Sequence, residues 1–120
     1  MAKNLEITML FDIYGDMLTQ KQRDFITYYY DDDLSLAEIA QNEGITRQGV
    51  RDAIKRAEAQ LLDFEEHLGL KRRFEELKSG LDEIKQMTEI INEVNMRTIL
   101  SREINDAVSR INSVSKMLSE

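Results

Sequence analysis

The chain has 120 residues, no cysteine, no proline and five glycines, and 32% of its side chains are charged, for a formal charge of −7. Disulfides, thiolate nucleophiles and cysteine-ligated zinc are therefore excluded, and the length allows one compact domain with a helical appendage. No apolar run approaches the roughly 20 residues of a membrane span, and the N-terminus has no basic stretch leading into an apolar core, so the expected location is the cytoplasm, without membrane insertion.

In chain order, a first helix is predicted from about Asn4 to Asp16, with Ile7, Leu10, Phe11, Tyr14 and Leu18 on its apolar side. Thr19 and Gln22 have the spacing of a capping box, in which the threonine hydroxyl and the glutamine side chain satisfy each other's backbone N–H groups. They open a second helix running through Tyr30, with Phe25, Ile26, Tyr29 and Tyr30 available for burial, and Asp31–Asp33 end it in an acidic loop. Ser35 and Glu38 repeat the capping box, and Leu36, Ile39 and Ala40 give the helix they open one buried stripe. Gly44 stands where that helix must stop, in a position that suits a left-handed residue.

Thr46 caps the next helix, predicted over 47–68. Its apolar residues Val50, Ile54, Ala57, Leu61, Phe64 and Leu68 recur at spacings of four and three, over a length of roughly 30 Å. Gly69 followed by Leu70 reads as its C-cap. Two caps, one glycine and two phased stripes within 25 residues make a helix-turn-helix signature.

Residues 71–120 read as amphipathic helix. Phe74, Leu77, Leu81 and Ile84 keep the 3/4 spacing, which stutters near Thr88 and resumes at Ile91 and Val94. Leu100, Ile104, Ala107, Ile111, Val114 and Leu118 form a second run. The stretch Asn95–Thr98 is the weakest between them, and either Thr98 or Ser101 could cap a last helix. Periodicity allows one long helix or two, folded back on the domain or paired with a second copy. The expected organisation is all-α: a helix-turn-helix domain over residues 1–69 and an amphipathic extension over 70–120 that serves packing or dimerisation.

Charge is unevenly spread. Residues 1–45 hold three basic and nine acidic side chains, net −6; residues 46–56 hold Arg47, Arg51, Lys55 and Arg56 against Asp52, net +3; residues 57–120 hold nine basic and thirteen acidic, net −4. The one concentrated positive patch is thus the second helix of the helix-turn-helix, set in an acidic surround, so any DNA binding should be weak or strongly salt-sensitive. Arginine pairs bidentately with guanine and glutamine with adenine, which makes Arg47, Gln48 and Arg51 candidates for reading base edges, beside Lys55 and Arg56.

Other residues read as structural. Tyr28, Tyr29 and Tyr30 could stack bases, but three successive helical residues cannot share a face, so two buried tyrosines and one at the rim are expected. Asp31–Asp33 could hold magnesium, yet read better as a solvated loop. His67 is the sole histidine, without the partners of a catalytic unit; in a last helical turn it favours the dipole as a cation. Lys71, Arg72 and Arg73 could touch phosphate or an acidic partner, and suit a solvated helix start equally well. No nucleophile, metal cage or phosphate-cradling glycine loop is present, so neither an enzyme nor a cofactor is expected.

Leu18-Thr-x-x-Gln22, Leu36-Ala-Glu-Ile-Ala40, Ile45-Thr-Arg-Gln-Gly-Val50 and Ile54-Lys-Arg-Ala57 together resemble region 4 of the bacterial sigma-70 family. More narrowly, Phe11-x-x-Tyr-Gly15, Leu18-Thr-x-Lys-Gln22, Tyr29-Tyr-x-Asp-Asp32 and Thr46-Arg-Gln-Gly-Val50 resemble the YlxM family of small bacterial helix-turn-helix proteins, over residues 4–70. The resemblance implies a DNA-binding regulatory protein, with a link to the signal recognition particle pathway through gene neighbourhood. It implies base- or phosphate-facing positions for Arg47, Gln48 and Arg51, and a backbone-phosphate or acidic neighbour for Arg56. Gly49 departs from the alanine of the region 4 pattern, and a mid-helix glycine costs about 0.8–1.0 kcal/mol. The chain has no counterpart of the promoter-melting region 2, so a stand-alone sigma factor is not expected. The competing expectation is a protein–protein adaptor on the signal recognition particle or its receptor, with the acidic surface meeting a basic partner.

Overall fold

A computed structural model describes residues 1–120 as six α-helices and no strand. They are α1 (Leu5–Tyr14), α2 (Gln20–Ile26), α3 (Leu36–Glu43), α4 (Arg47–Leu68), α5 (Leu70–Arg97) and α6 (Arg102–Ser119). The chain divides into two compact units, Met1–Lys71 and Arg72–Glu120.

In the first unit α1, α2 and α3 all pack on α4. The stripe Val50, Ile54, Ala57 and Leu61 is completely buried, and it meets Ile7, Leu10 and Tyr14 of α1, Phe25 and Ile26 of α2, and Ile39 of α3. Both capping boxes form as the sequence suggests: Gln22 N–H donates to Thr19 Oγ1 at 3.2 Å, and Glu38 N–H to Ser35 Oγ at 3.1 Å, with the reciprocal side-chain bonds at 3.0 and 3.2 Å. Gly44 ends α3 at φ 68°, ψ 32°, and Gly69 ends α4 at φ 64°, ψ 24°. Both are left-handed conformations in which a Cβ is strained.

Several expected details differ. α1 begins after Asn4, whose side chain caps it by accepting from Glu6 N–H, and gives way at Gly15–Met17 to a tighter 3₁₀ turn instead of running to Asp16. α2 stops at Ile26, and Thr27–Asp31 is a π turn. Its widened hydrogen bonds, Asp32 N–H to Thr27 O and Leu34 N–H to Tyr28 O at 2.9 Å each, rotate the three tyrosines differently from an α-helix. Only Tyr29 is buried, its hydroxyl donating to Met1 O at 2.9 Å and its ring meeting Tyr30 edge-on at 5.3 Å. Tyr28 and Tyr30 are half-buried, so the expected two buried tyrosines become one. In the acidic loop Asp33 takes a positive φ and pairs with Lys3. Along α4 the heptad run fades: Phe64 is half-buried and Leu68 is exposed.

At the end of α4, Tyr14 and Glu65 build a clamp. Tyr14 Oη donates to Glu65 Oε1 at 2.7 Å and accepts from Leu70 N–H at 3.0 Å, while Lys71 N–H donates to the same Glu65 oxygen at 2.9 Å. Two N–H groups of the first turn of α5, which have no partner within the helix, are thereby satisfied. Burial, reinforced by the bond to Glu65, raises the Tyr14 pKa and keeps the phenol a donor.

The second unit is a helical hairpin. Asn95 closes the turn, its amide donating to Ser101 O at 2.9 Å and its oxygen accepting from Ser101 N–H at 2.8 Å. Of the two candidate caps it is Ser101 that opens α6, accepting from Ile104 N–H at 3.2 Å. The buried residues of the hairpin are Leu81, Thr88, Asn95 and Val108, and Thr88 Oγ1 donates to Asn112 Oδ1 at 2.7 Å. The sequence stutter at Thr88 is thus the centre of the seam. The expected apolar runs lie largely outside it: Phe74, Leu77, Ile84, Ile91, Val94, Ile111 and Leu118 are exposed. Polar seam residues that hydrogen-bond across the hairpin take the positions that a heptad reading gives to aliphatic ones. No helix is long and apolar enough to cross a membrane.

Replacing Tyr14 with Phe keeps the ring against Phe64, whose centroid lies 5.8 Å away, but strips the acceptor from Leu70 N–H. Urea unfolding should show a loss of about 1–3 kcal/mol. His67 Nδ1 lies 2.8 Å from Asp63 O, and this bond, with the nearby Asp63 carboxylate, raises its pKa above 6.5. Because the folded value is the higher one, the stabilisation is complete below the unfolded value and fades as pH rises through the raised folded value. An NMR titration of the imidazole should give a midpoint above 6.5, and His67→Gln should flatten the stability–pH curve across that interval.

Candidate nucleic-acid interface

α3, the Gly44 turn and α4 make the helix-turn-helix, and its outward surface is set by the phase of α4. With Val50, Ile54 and Ala57 turned inward, Arg47, Gln48, Arg51, Lys55 and Arg56 are all exposed. Arg47, Arg51 and Lys55 follow at four-residue spacing along one stripe. Arg47, Arg51 and Arg56 form no ion pair with the rest of the chain, which leaves three guanidinium groups for an outside anion.

The five candidates do not form one uniform patch. Gln48 Nε2 donates to Asp52 Oδ1 at 2.9 Å, so a base would have to compete with that carboxylate for the amide. Lys55 Nζ lies 3.8 Å from Glu58 Oε2. Arg56 sits beyond Gln48 and Asp52 around the helix and shares a groove of about 270 Å³ with Lys21, Thr19 and Gln22. It therefore belongs to the α2 side, apart from the Arg47–Arg51–Lys55 stripe.

Thr46 fixes the start of the recognition helix by accepting from Gly49 N–H at 2.9 Å. A Cβ on Gly49 would stand 3.1 Å from Thr46 Oγ1 and 3.8 Å from Ile45 Cδ1. The glycine thus gives room to the cap, which is a local reason for its departure from alanine.

Glu58 is the residue that the sequence reading passed over. It is only 8% exposed and accepts from Tyr30 Oη at 2.7 Å. Tyr30 Oη in turn accepts from Asn4 N–H at 3.2 Å. Burial above all, with the bond to Glu58, pushes the Tyr30 pKa up to about 12, so the phenol remains the donor. The signal was present in the spacing: Glu58 stands four residues after Ile54 and three before Leu61, in phase with the buried stripe. Tyr29 and Tyr30 are tied to Met1, Asn4 and Glu58, and the half-buried Tyr28 packs against Phe25 with ring centroids 6.4 Å apart. His67 meets the Asp63 carboxylate at 3.4 Å, and neither it nor Asp31–Asp33 belongs to a group of three or more side chains that could hold a metal ion.

The comparisons agree with this architecture. Residues 1–102 match the family described as "Putative helix-turn-helix protein, YlxM / p13 like". A UPF0122 protein of Thermoanaerobacter sp. (strain X514) is 51% identical over 89 residues, 74% of this chain and 76% of that protein. One from Shouchella clausii is 46% identical over 70% of this chain and 77% of the relative, and one from Bacillus cereus (strain AH187) is 43% identical over 79% and 86%. With the helix-turn-helix in place and the match running from the first residue into α6, the chain belongs to the UPF0122 family of YlxM/p13-like helix-turn-helix proteins.

Proposed function

We propose that this protein is a non-enzymatic DNA-binding regulator that reads duplex DNA with α4. The observation that carries the reading is the exposed stripe Arg47, Arg51 and Lys55 at the N-terminal end of a helix whose opposite face is locked into the core. That end is the part of a recognition helix that enters the major groove, with α3 bracing across the backbone. The order of the four N-terminal helices and their caps suits a sigma region 4-type domain. The +3 of residues 46–56 supplies a local attraction for phosphate within an acidic chain, so affinity depends steeply on salt. Pairing of two copies through residues 70–120 would present two α4 helices to neighbouring half-sites.

A second reading has its own support. The first unit, residues 1–71, has eight basic and fourteen acidic side chains, net −6. Such a surface suits a basic protein partner, which on the family resemblance would be a component of the signal recognition particle or its receptor.

Fluorescence anisotropy of a labelled mixed-sequence duplex across a salt series tests the first reading. The double variant Arg47→Ala/Arg51→Ala should bind more weakly and reduce the slope of log K against log salt by about 1–2. Equal binding and an equal slope for the two proteins would remove this face from the interface. Binding to the particle but to no duplex at low salt would favour the adaptor.

A further inference from the structure

We propose that the second unit is a self-association surface, on which two copies of this chain pair through one face of the α5–α6 hairpin. The proposal names the surface behind the pairing that the DNA reading invokes, and it stands whether or not DNA is bound. The hairpin buries little of its own surface. Among its 49 residues the buried ones are two aliphatic side chains, Leu81 and Val108, and two polar ones, Thr88 and Asn95. A unit this small with so little buried apolar surface gains little stability from its own core, and the chain has no cysteine to crosslink it.

The missing apolar contact lies beside the seam. Leu77, Ile84 and Ile91 each stand four residues before a seam residue of α5, namely Leu81, Thr88 and Asn95. Ile111 stands three after Val108 and four before the half-buried Ser115 of α6, and Leu118 three after Ser115. A step of three forward or four back rotates a position in the same sense around a helix. In an antiparallel pair, the same rotation on both helices leads to the same side of the hairpin. Leu77 and Leu118 accordingly line one groove. The groove on the other side is lined by Leu81 of the seam together with the polar side chains of Asp82, Lys85, Asn112, Ser115, Lys116 and Ser119. The hairpin thus has one apolar and one polar face, and the apolar one repeats every seven residues on both helices, as four-helix bundles require.

Two further observations select a second copy as the occupant. Residues 72–120 carry eight basic and nine acidic side chains, net −1, whereas residues 1–71 carry −6. The hairpin is the part of the chain that can meet itself without appreciable repulsion, and it offers little attraction to a highly charged partner. The area also suffices. Leu77, Ile84, Ile91, Val94, Ile111 and Leu118 are 41–55% exposed in the whole chain. At that exposure they present roughly 500 Å² per copy, so a pair buries on the order of 1,000 Å² before any rim residue, the threshold of a specific interface. The two-fold arrangement is isologous and closes on itself.

The test is the solution mass of the full chain without nucleic acid, by light scattering and sedimentation over a concentration series. The expected result is twice the chain mass of 14.0 kDa. Ile84→Lys/Ile91→Lys should halve the mass while leaving the thermal transition of the first unit in place, and Leu77→Ser/Leu118→Ser should weaken association without adding charge. Asp82→Lys/Lys116→Glu, on the polar face, should leave the dimer intact. A monomeric chain at all concentrations, a dimer unmoved by both apolar-face variants, or a dimer lost equally through the polar face would each overturn the proposal. So would a monomer that forms a stoichiometric complex with an added basic protein through Ile84 and Ile91. The DNA reading is scored separately by the Arg47/Arg51 titration, so one can fail without the other.

Discussion

Val50, Ile54, Ala57 and Leu61 form a single completely buried line along α4, and three helices are assembled on it. α1, α2 and α3 touch α4 far more than they touch one another, so the stripe acts as the common floor of the first unit. It also fixes rotation. A helix whose four aliphatic side chains are buried against three neighbours has no freedom to turn, and the residues opposite are presented at constant angles. The outward set from Arg47 to Arg56 is a geometric remainder of the inward one. Hydrophobic burial of this kind contributes about 1.5–3 kcal/mol for each large side chain, enough to make the phase of α4 the least negotiable feature of the fold.

Polar contacts refine what the stripe determines. Tyr30 and Glu58 connect the π turn to α4, and Asn4 N–H joins the start of α1 to the same pair. Tyr14 and Glu65 secure the other end of the helix and the first N–H groups of α5. Each arrangement places a carboxylate from α4 beneath a tyrosine hydroxyl. A buried carboxylate is tolerated only where such donors converge, which explains why an acidic residue stands within an apolar register at Glu58.

Much of this was legible in the sequence because it is local. Thr19, Ser35 and Thr46 cap helices through groups three residues away, and Gly44 and Gly69 answer a backbone requirement at their own positions. The stripe of α4 and the family resemblance followed from spacing and motif alone. What could not be read depends on partners distant in the chain. The π turn over Thr27–Asp31 exists because three adjacent tyrosines find different environments, one of them against Met1 and another against Glu58. The seam of the hairpin could not be read from the sequence because Thr88 and Asn112 meet across 24 residues, where periodicity sees only two polar interruptions. The candidate positions were named as a set, but the set divides: Gln48 is engaged by Asp52, and Arg56 lies with Lys21.

Glu58 also has a consequence for how a recognition helix of this kind would search a genome. Its carboxylate lies 3.8 Å from the Lys55 ammonium and accepts a hydrogen bond from Tyr30. Lys55 thus has an acidic neighbour that would compete with an approaching phosphate. Non-specific sites outnumber any target by many orders of magnitude, and they are bound through phosphate attraction alone. A helix that attracts phosphate weakly spends less of its time on the wrong sequence. If α4 binds DNA as proposed, discrimination would rest on the few contacts that Arg47 and Arg51 made with base edges, and a low absolute affinity would be compatible with a high ratio of correct to incorrect occupancy.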